Sequence, residues 1–283
     1  MQMMDKIDVH VHVGKGNALL DEGMAMTKES TEPDFLLKRM DEFRIKKAII
    51  LALDIPNCLV SNDYVSSLQK EHPDRFIGAA CINPMKHKDF GLSEMKRCHE
   101  KLGLNALKLM PPYQFFHLQD KRVYPLYEYL EKNGILLIAH TGVTDWPYAK
   151  LEFCHPIDVD SVAVDFPRLK ILMSHCGDPW CAVTREILFK NKNVYTDFSG
   201  MVISSDPYRG KAYLARFFDN WLGRFPIDRL LFGTDWPFIR FDEYEDAISS
   251  YKMPRQTLKM LGLSEKEIWE RILCKNAEAM LRR

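Results

Sequence analysis

Short apolar segments recur along the whole chain and are separated by longer segments with a different spacing. The short segments are rich in β-branched residues and are bounded by turn-forming residues, which is typical of buried strands. They predict eight strands: Lys6–Val11, Lys47–Leu53, Phe76–Ile82, Ala106–Leu109, Ile135–Ala139, Lys170–Ser174, Val194–Asp197 and Leu230–Phe232.

The segments between these strands carry apolar residues three and four positions apart, as amphipathic helices do. Strict alternation of strand and helix with short connections predicts a parallel sheet with right-handed crossovers. Eight such units predict an α/β fold in which the sheet closes into a (βα)8 TIM barrel; an open doubly wound sheet is the alternative if the fourth or seventh strand is absent. The predicted helices are Asp34–Phe43, Asp63–His72, Leu92–Leu102, Val123–Lys132, Ile157–Val164, Trp180–Lys190 and Tyr208–Leu222.

We expect residues 1–283 to form a single domain, because barrels of this kind reach this length without a second core. Ser264 and Glu267 have the spacing of a capping box, so the segment 264–283 is expected to be a helical tail packed on the barrel. Three irregular segments each follow a predicted strand, and in a barrel such loops cover the catalytic face. These segments are Gly14–Glu32, Pro111–Lys121 and Thr141–His155.

Composition narrows the class of protein. Lys and Arg total 39 and Asp and Glu total 39, so the chain has no net charge, and it contains no long run of basic residues. Nucleic acid and anionic membrane are therefore not expected partners. The seven cysteines are scattered without a C-x-x-C motif, which is typical of reduced thiols. With no signal-peptide pattern and no apolar segment of about 18 residues, we expect a soluble, cytoplasmic protein.

The candidate chemistry begins in the first strand, which reads IDVHVHV. Residues two apart in a strand point to the same face, so His10 and His12 project together. Two surface histidines on an edge strand would give the same motif. Because the alternating valines indicate burial on the opposite face, we favour two enclosed imidazoles that serve as ligands of a zinc-like ion.

Three later strands also deliver a metal-binding residue type into a turn. His140, His175 and Asp235 follow the apolar runs ILLIA, KILMS and LLFGT. Each of them alone is compatible with an ordinary structural role. Because the carboxyl ends of the strands of a parallel barrel lie at one rim, their agreement with His10 and His12 predicts a shared site there.

This arrangement resembles the amidohydrolase superfamily, in which H-x-H ends strand one, His ends strands five and six, and Asp ends strand eight. The resemblance covers nearly the whole chain. It is similar in particular to the amidohydrolase-related branch, which includes aminocarboxymuconate-semialdehyde decarboxylase, aromatic-acid decarboxylases and lactone hydrolases. The segments that carry this likeness are KLMPPYQ, YPLYEYLEKNGILLIAHTG, DFPRLKILMSHCG, NVYTDFSG, RLLFGTDWP and KNAEAML.

The resemblance implies one divalent metal ion, usually zinc, held by His10, His12, His140 and Asp235. Manganese or iron also suits this ligand set. Asp235 is then the general base and later the proton donor. His175 is placed beside the water or the substrate oxygen, where it stabilises developing negative charge; a purely structural His175 is the alternative.

Lys108 lies between two leucines of the fourth strand and is expected to point into the barrel. A buried lysine needs an anionic partner. Three interpretations stay open: a clamp for a substrate carboxylate, a carbamylated lysine that bridges two metal ions as in binuclear members of the superfamily, or an internal ion pair with Asp235 or a glutamate. The loops add candidate substrate-binding residues, namely Gln114, Trp146, Trp236 and Arg240.

We therefore expect a metal-dependent hydrolase in which a metal-bound hydroxide attacks the amide or ester (lactone) carbonyl of a small carboxylated substrate. The alternative is a metal-dependent, non-oxidative decarboxylase of a small aromatic or unsaturated acid. A binding protein on a decayed barrel is a third interpretation, which the intact set of ligands disfavours. The resemblance also implies a homodimer.

Overall fold

The computed structural model describes residues 4–14, 18–142, 144, 146–202 and 209–282. Within them the chain forms ten strands: β1 Lys6–His12, β2 Ile45–Leu51, β3 Leu53–Ile55, β4 Cys58–Val60, β5 Phe76–Cys81, β6 Ala106–Leu109, β7 Leu136–Ala139, β8 Ile171–Met173, β9 Val194–Asp197 and β10 Leu230–Leu231.

Eight of these strands form one parallel sheet in the order β1-β2-β5-β6-β7-β8-β9-β10. They are the eight strands that the sequence predicts, with ends that differ by at most two residues. The fold is therefore a (βα)8 barrel, as expected. The remaining two strands, β3 and β4, form an antiparallel hairpin that the apolar pattern did not predict.

Helices follow the strands, and all seven predicted helices are present. The start predicted at Tyr208 lies outside the described residues. The prediction of an irregular Gly14–Glu32 segment was wrong, since this segment contains α1, whose alanine, leucine and methionine residues favour helix. The helices are α1 Ala18–Thr27, α2 Pro33–Glu42, α3 Asn62–Glu71, α4 Leu92–Glu100, α5 Pro111–Gln114, α6 Tyr124–Asn133, α7 Ile157–Asp165, α8 Cys181–Lys190, α9 Lys211–Trp221, α10 Phe241–Ser250, α11 Arg255–Leu261, α12 Glu265–Glu270 and α13 Asn276–Leu281.

The chain divides into two compact units. The first consists of Met1–Ala48 with Asp197–Arg282, and the second of Ile49–Thr196. Each unit has its own buried apolar residues, which include Val9, Leu36 and Phe218 in the first and Leu107, Ile138 and Leu172 in the second. None of the helices within the described ranges combines the length and apolar character needed to cross a bilayer.

In the first unit, β1 lies beside the end of β10. Val9 N donates to Phe232 O (3.1 Å) and His12 N donates to Trp236 O (2.8 Å). The C-terminal helices pack on β10: Phe232 N donates to Ile272 O, and the Asn276 amide donates to Leu230 O at 2.8 Å. The tail therefore fixes the strand from which Asp235 follows.

Candidate metal centre

His10 and His12 are held in the interior by the alternating pattern of β1. All seven residues of this strand are buried, and the two histidines are only 1% and 3% exposed. Their ring centroids lie 5.3 Å apart. The alternative of two surface histidines is thus wrong, and both imidazoles are enclosed, as the prediction of two ligand histidines requires.

Asp235 meets these imidazoles from the turn that follows β10. Its backbone is left-handed, with φ of 71°, which is uncommon for a residue other than glycine. Asp235 N donates to His10 O at 2.9 Å, so the turn is tied directly to β1. Its Oδ1 atom lies 3.4 Å from His10 Nε2 and 3.2 Å from His12 Nε2.

These separations match those between ligands of a single ion. Two ligand atoms on a tetrahedral ion with bonds of about 2.0–2.1 Å are about 3.3 Å apart. Two imidazole nitrogens and a carboxylate oxygen suit zinc, manganese or iron. His10, His12 and Asp235 together form a group that fits a divalent metal ion.

Asp8 stabilises the arrangement of His10 and Asp235 through hydrogen bonds to the residues around them. Its Oδ1 atom accepts from His10 N (3.0 Å) and Thr234 N (3.1 Å), and its Oδ2 atom accepts from Thr234 Oγ1 (2.6 Å). Burial raises the pKa of Asp8 to about 7, against the lowering effect of these hydrogen bonds. Asp8 therefore joins β1 to the turn that carries Asp235.

The second unit brings His140 and His175 together. His140 follows β7 and its backbone N donates to Leu109 O (2.9 Å). Its ring centroid lies 4.8 Å from that of His175 and 5.4 Å from that of Tyr113. His175 has a left-handed backbone, with φ of 62°, in the turn after β8. The assignment of His140 as the fourth ligand and of His175 as the electrophile stays a prediction.

Lys108 is fully buried in β6 of the same unit. Its Nζ atom donates to Ser174 Oγ at 2.9 Å, and Ser174 immediately precedes His175. Thr141 Oγ1 donates to Ser174 O at 2.7 Å, so the turns after β7 and β8 are joined next to this lysine. The three interpretations of Lys108 stay predictions.

The predicted substrate-binding residues have varied surroundings. Gln114 is buried; its amide donates to Asp54 O and Ile82 O and accepts from Met110 N, so it joins its own segment to β3 and to the end of β5. Trp146 is half-buried, with its ring centroid 5.8 Å from that of Tyr148.

Two further candidates lie in the first unit. Trp236 is fully buried, and its Nε1 atom donates to Glu29 Oε2 at 3.1 Å. Arg240 makes two hydrogen bonds of 2.9 Å to the Asp242 carboxylate. Substrate contact by these residues stays a prediction.

Comparison with known proteins identifies the family. The profile described as amidohydrolase matches residues 7–283, which is almost the whole chain. This chain belongs to the amidohydrolase family. Members of this family bind a divalent metal ion, in agreement with the group of His10, His12 and Asp235.

Curated relatives of this amidohydrolase carry out two kinds of reaction. This chain is 28% identical over 204 residues to a dihydroorotase of Helicobacter pylori (strain HPAG1), and the match covers 68% of the chain and 53% of the relative. The chain thus spans about half the length of that relative. It is 22% identical to the gamma-resorcylate decarboxylase of Polaromonas sp. (strain JS666), and this match covers 92% of the chain and 96% of the relative.

Solved structures have the same fold. An uncharacterized TIM-barrel protein of Bordetella bronchiseptica is 24% identical with a TM-score of 0.76, and the match covers 98% of each chain. A dihydroxybenzoic acid decarboxylase of Polaromonas sp. JS666 with bound manganese is 18% identical with a TM-score of 0.70, and covers 98% of this chain and 97% of that one.

Sequence reasoning missed a buried group beside His10 in this amidohydrolase. Asp197 ends β9, and Ser199 follows two residues later; both are fully buried. Ser199 Oγ lies 3.1 Å from His10 Nδ1. Asp197 gave a signal, since it is an acidic residue at the end of a strand, just as Asp235 is an acidic residue soon after one. Ser199 gave none, because its role depends on a histidine at the other end of the chain.

Gly233 permits this close packing, and a side chain there should be destabilising. A Cβ atom at position 233 would lie 3.1 Å from His10 Cβ and 3.2 Å from Ser199 Cβ, in a fully buried site. We expect Gly233→Ala to lower the free energy of unfolding by about 1–3 kcal/mol, as overpacking does. Urea denaturation of the two proteins would measure this difference.

Gly210→Ala is the matched control, because a Cβ atom at position 210 has no heavy atom within 4 Å. It should lower the free energy of unfolding by about 0.5–1 kcal/mol, because alanine is a poorer N-cap residue than glycine, and therefore by less than Gly233→Ala does. Equal stability of the two alanine variants would contradict the packing argument for Gly233.

Proposed function

We propose that this chain is a metal-dependent, non-oxidative decarboxylase of a small aromatic or unsaturated carboxylic acid. The arrangement of His10, His12 and Asp235 around one point, with ligand separations of 3.4 and 3.2 Å, supports dependence on a divalent ion. An ion at that point would supply positive charge to bind oxygen atoms of the substrate. His140 is proposed as its fourth ligand on the strength of the sequence pattern.

Asp235 is the proposed proton donor. Its side chain is 19% exposed, whereas those of His10 and His12 are almost fully enclosed, so it is the member of the group that a substrate can reach. When the bond to the carboxyl group breaks, its electron pair stays on the substrate carbon and carbon dioxide departs. Asp235 in its protonated form then gives its proton to that carbon, and solvent returns a proton to the carboxylate.

The comparisons favour decarboxylation over the hydrolysis that the sequence alone suggested. The gamma-resorcylate decarboxylase aligns over 96% of its length, whereas the dihydroorotase aligns over 53%. A full-length match supports a similar arrangement of the loops that contact the substrate, and these loops decide the reaction on a barrel.

Hydrolysis of a cyclic amide or lactone is the second candidate. It is favoured by the identity of 28% to dihydroorotase and by the fully buried Lys108 of β6, for which carbamylation between two metal ions is one interpretation. In that reaction Asp235 would accept a proton from the attacking water and pass it to the leaving group.

Product analysis tests the proposal. The protein, loaded separately with manganese and with zinc, would be incubated with ¹³C-carboxyl-labelled dihydroxybenzoates and other unsaturated acids, and with small cyclic amides and lactones. We expect labelled bicarbonate to appear by NMR in step with the loss of an acid, and chelator-treated protein to be inactive. Turnover of an amide or lactone, with no labelled bicarbonate from any acid, would contradict the proposal and favour hydrolysis.

A further inference from the structure

His10 is contacted on its Nδ1 side by the segment that follows β9. Ser199 Oγ lies 3.1 Å from His10 Nδ1, and Asp197 Oδ2 lies 3.5 Å from the same nitrogen. Ser199 also hydrogen-bonds to Asp197 Oδ1 through its hydroxyl, and its backbone N donates to that oxygen at 3.0 Å. The opposite nitrogen, His10 Nε2, is the one that faces Asp235.

The direction of these hydrogen bonds follows from counting protons. A carboxylate can only accept, so the single hydroxyl proton of Ser199 goes to Asp197. The hydroxyl oxygen then accepts from His10, which places the imidazole proton on Nδ1. A neutral imidazole with this proton on Nδ1 has its lone pair on Nε2, where the metal ion is proposed.

The segment that carries Ser199 is itself fixed. The fully buried Tyr244 donates its hydroxyl to Phe198 O at 2.8 Å and accepts from Met201 N at 3.1 Å. Gly233 allows the backbone that follows β10 to approach Ser199 and His10 closely. Ser199 is therefore held at a set distance from the imidazole.

His12 lacks this support. Its Nδ1 atom is buried and has no hydrogen-bond partner among the described residues. The two histidines of one strand thus differ in their surroundings, and the difference points to a role specific to His10.

We propose that Ser199 and Asp197 are positioning residues that lock His10 in the Nδ1-protonated tautomer. The effect of this tautomer on metal binding rests on the proposed function, because the locked tautomer offers Nε2 to the proposed ion. Hydrogen bonds of this kind fix the ring orientation of ligand histidines, and their loss typically weakens metal binding 10–100-fold.

The tautomer of metal-free protein tests the inference independently of any activity. In long-range ¹H–¹⁵N NMR spectra recorded above the ordinary pKa of histidine, we expect His10, assigned with a His10→Gln variant, to be protonated at Nδ1. In Asp197→Asn the new amide can donate to Ser199, whose hydroxyl can then donate to Nδ1, so the Nε2-protonated form should increase. An Nε2-protonated His10 in the unmodified protein would overturn the inference, whether or not the variants fold.

Metal affinity supplies the second readout. We expect chelator competition to give a Kd for zinc that is about 10-fold weaker in Ser199→Ala, where Asp197 remains near Nδ1, and about 100-fold weaker in Asp197→Asn. Ser249→Ala, at a partly exposed position, and Asp228→Asn, at an exposed one, should bind zinc as the unmodified protein does. Unchanged affinity in Asp197→Asn would overturn the inference while leaving the metal site intact, whereas failure of the unmodified protein to bind metal would refute the proposed function alone.

Discussion

Asp235→Asn is expected to lower kcat by about 10³-fold, within the range that a positioned acid or base contributes. The amide cannot carry the proton that the reaction needs. Its oxygen can still occupy the position of Oδ1, which lies 3.2 Å from His12 Nε2, so much of the metal should be retained. Steady-state kinetics combined with elemental analysis of the purified variant would separate the two effects.

Asp228→Asn makes the same chemical change on an exposed side chain and should leave both kcat and metal content unaltered. If Asp235→Asn retained full activity, Asp235 would not be the proton donor. If the variant lost its metal together with its activity, only the ligand role would be supported, and restoring activity with excess metal would argue against proton transfer.

The architecture could be predicted because its signals are local. The run IDVHVHV specifies a strand by alternation, and a buried strand whose polar residues are two apart brings His10 and His12 to one side. Asp235 was identifiable because it follows an apolar run directly. The β3–β4 hairpin was missed because it comes directly after β2, and Lys47–Leu53 reads as one continuous apolar strand.

The surroundings of the loop residues could not be predicted, because their partners come from distant parts of the chain. Gln114 is a plausible ligand contact by residue type, yet its amide bonds three main-chain groups that lie 4 to 60 positions away. The indole of Trp236 likewise donates to Glu29, 207 positions earlier. Residue type indicates what a side chain can bind, whereas the fold decides which partner it meets.

For the same reason, the support of His10 emerged only from the structure. Ser199 is 189 positions from His10, and a serine in NVYTDFSG has no pattern that distinguishes it from a turn residue. The sequence predicts which residues bind a metal ion more readily than it predicts which residues orient those ligands, because ligands follow strand ends and their supports follow packing.

His12→Ala is expected to weaken metal binding by at least 10²-fold. Apparent binding free energies of about 10–16 kcal/mol are shared by the four ligands of a structural zinc ion. Loss of one ligand therefore costs about 3 kcal/mol of binding free energy, which corresponds to an affinity for the metal about 100-fold lower. The Nε2 atom of His12 lies 3.2 Å from Asp235 Oδ1, and the methyl group of alanine offers no ligand atom in its place. Chelator competition would measure the affinity, and turnover at low metal concentration should fall in parallel.

Thermal unfolding with and without metal gives an independent measurement. Because a ligand that binds only the folded state stabilises it, saturating zinc or manganese should raise the Tm of the unmodified protein and leave that of His12→Ala nearly unchanged. His72→Ala, a partly exposed histidine after α3, should respond to metal as the unmodified protein does. An equal Tm increase in all three proteins would place the ion elsewhere, and the imidazoles of β1 would then have only a structural role.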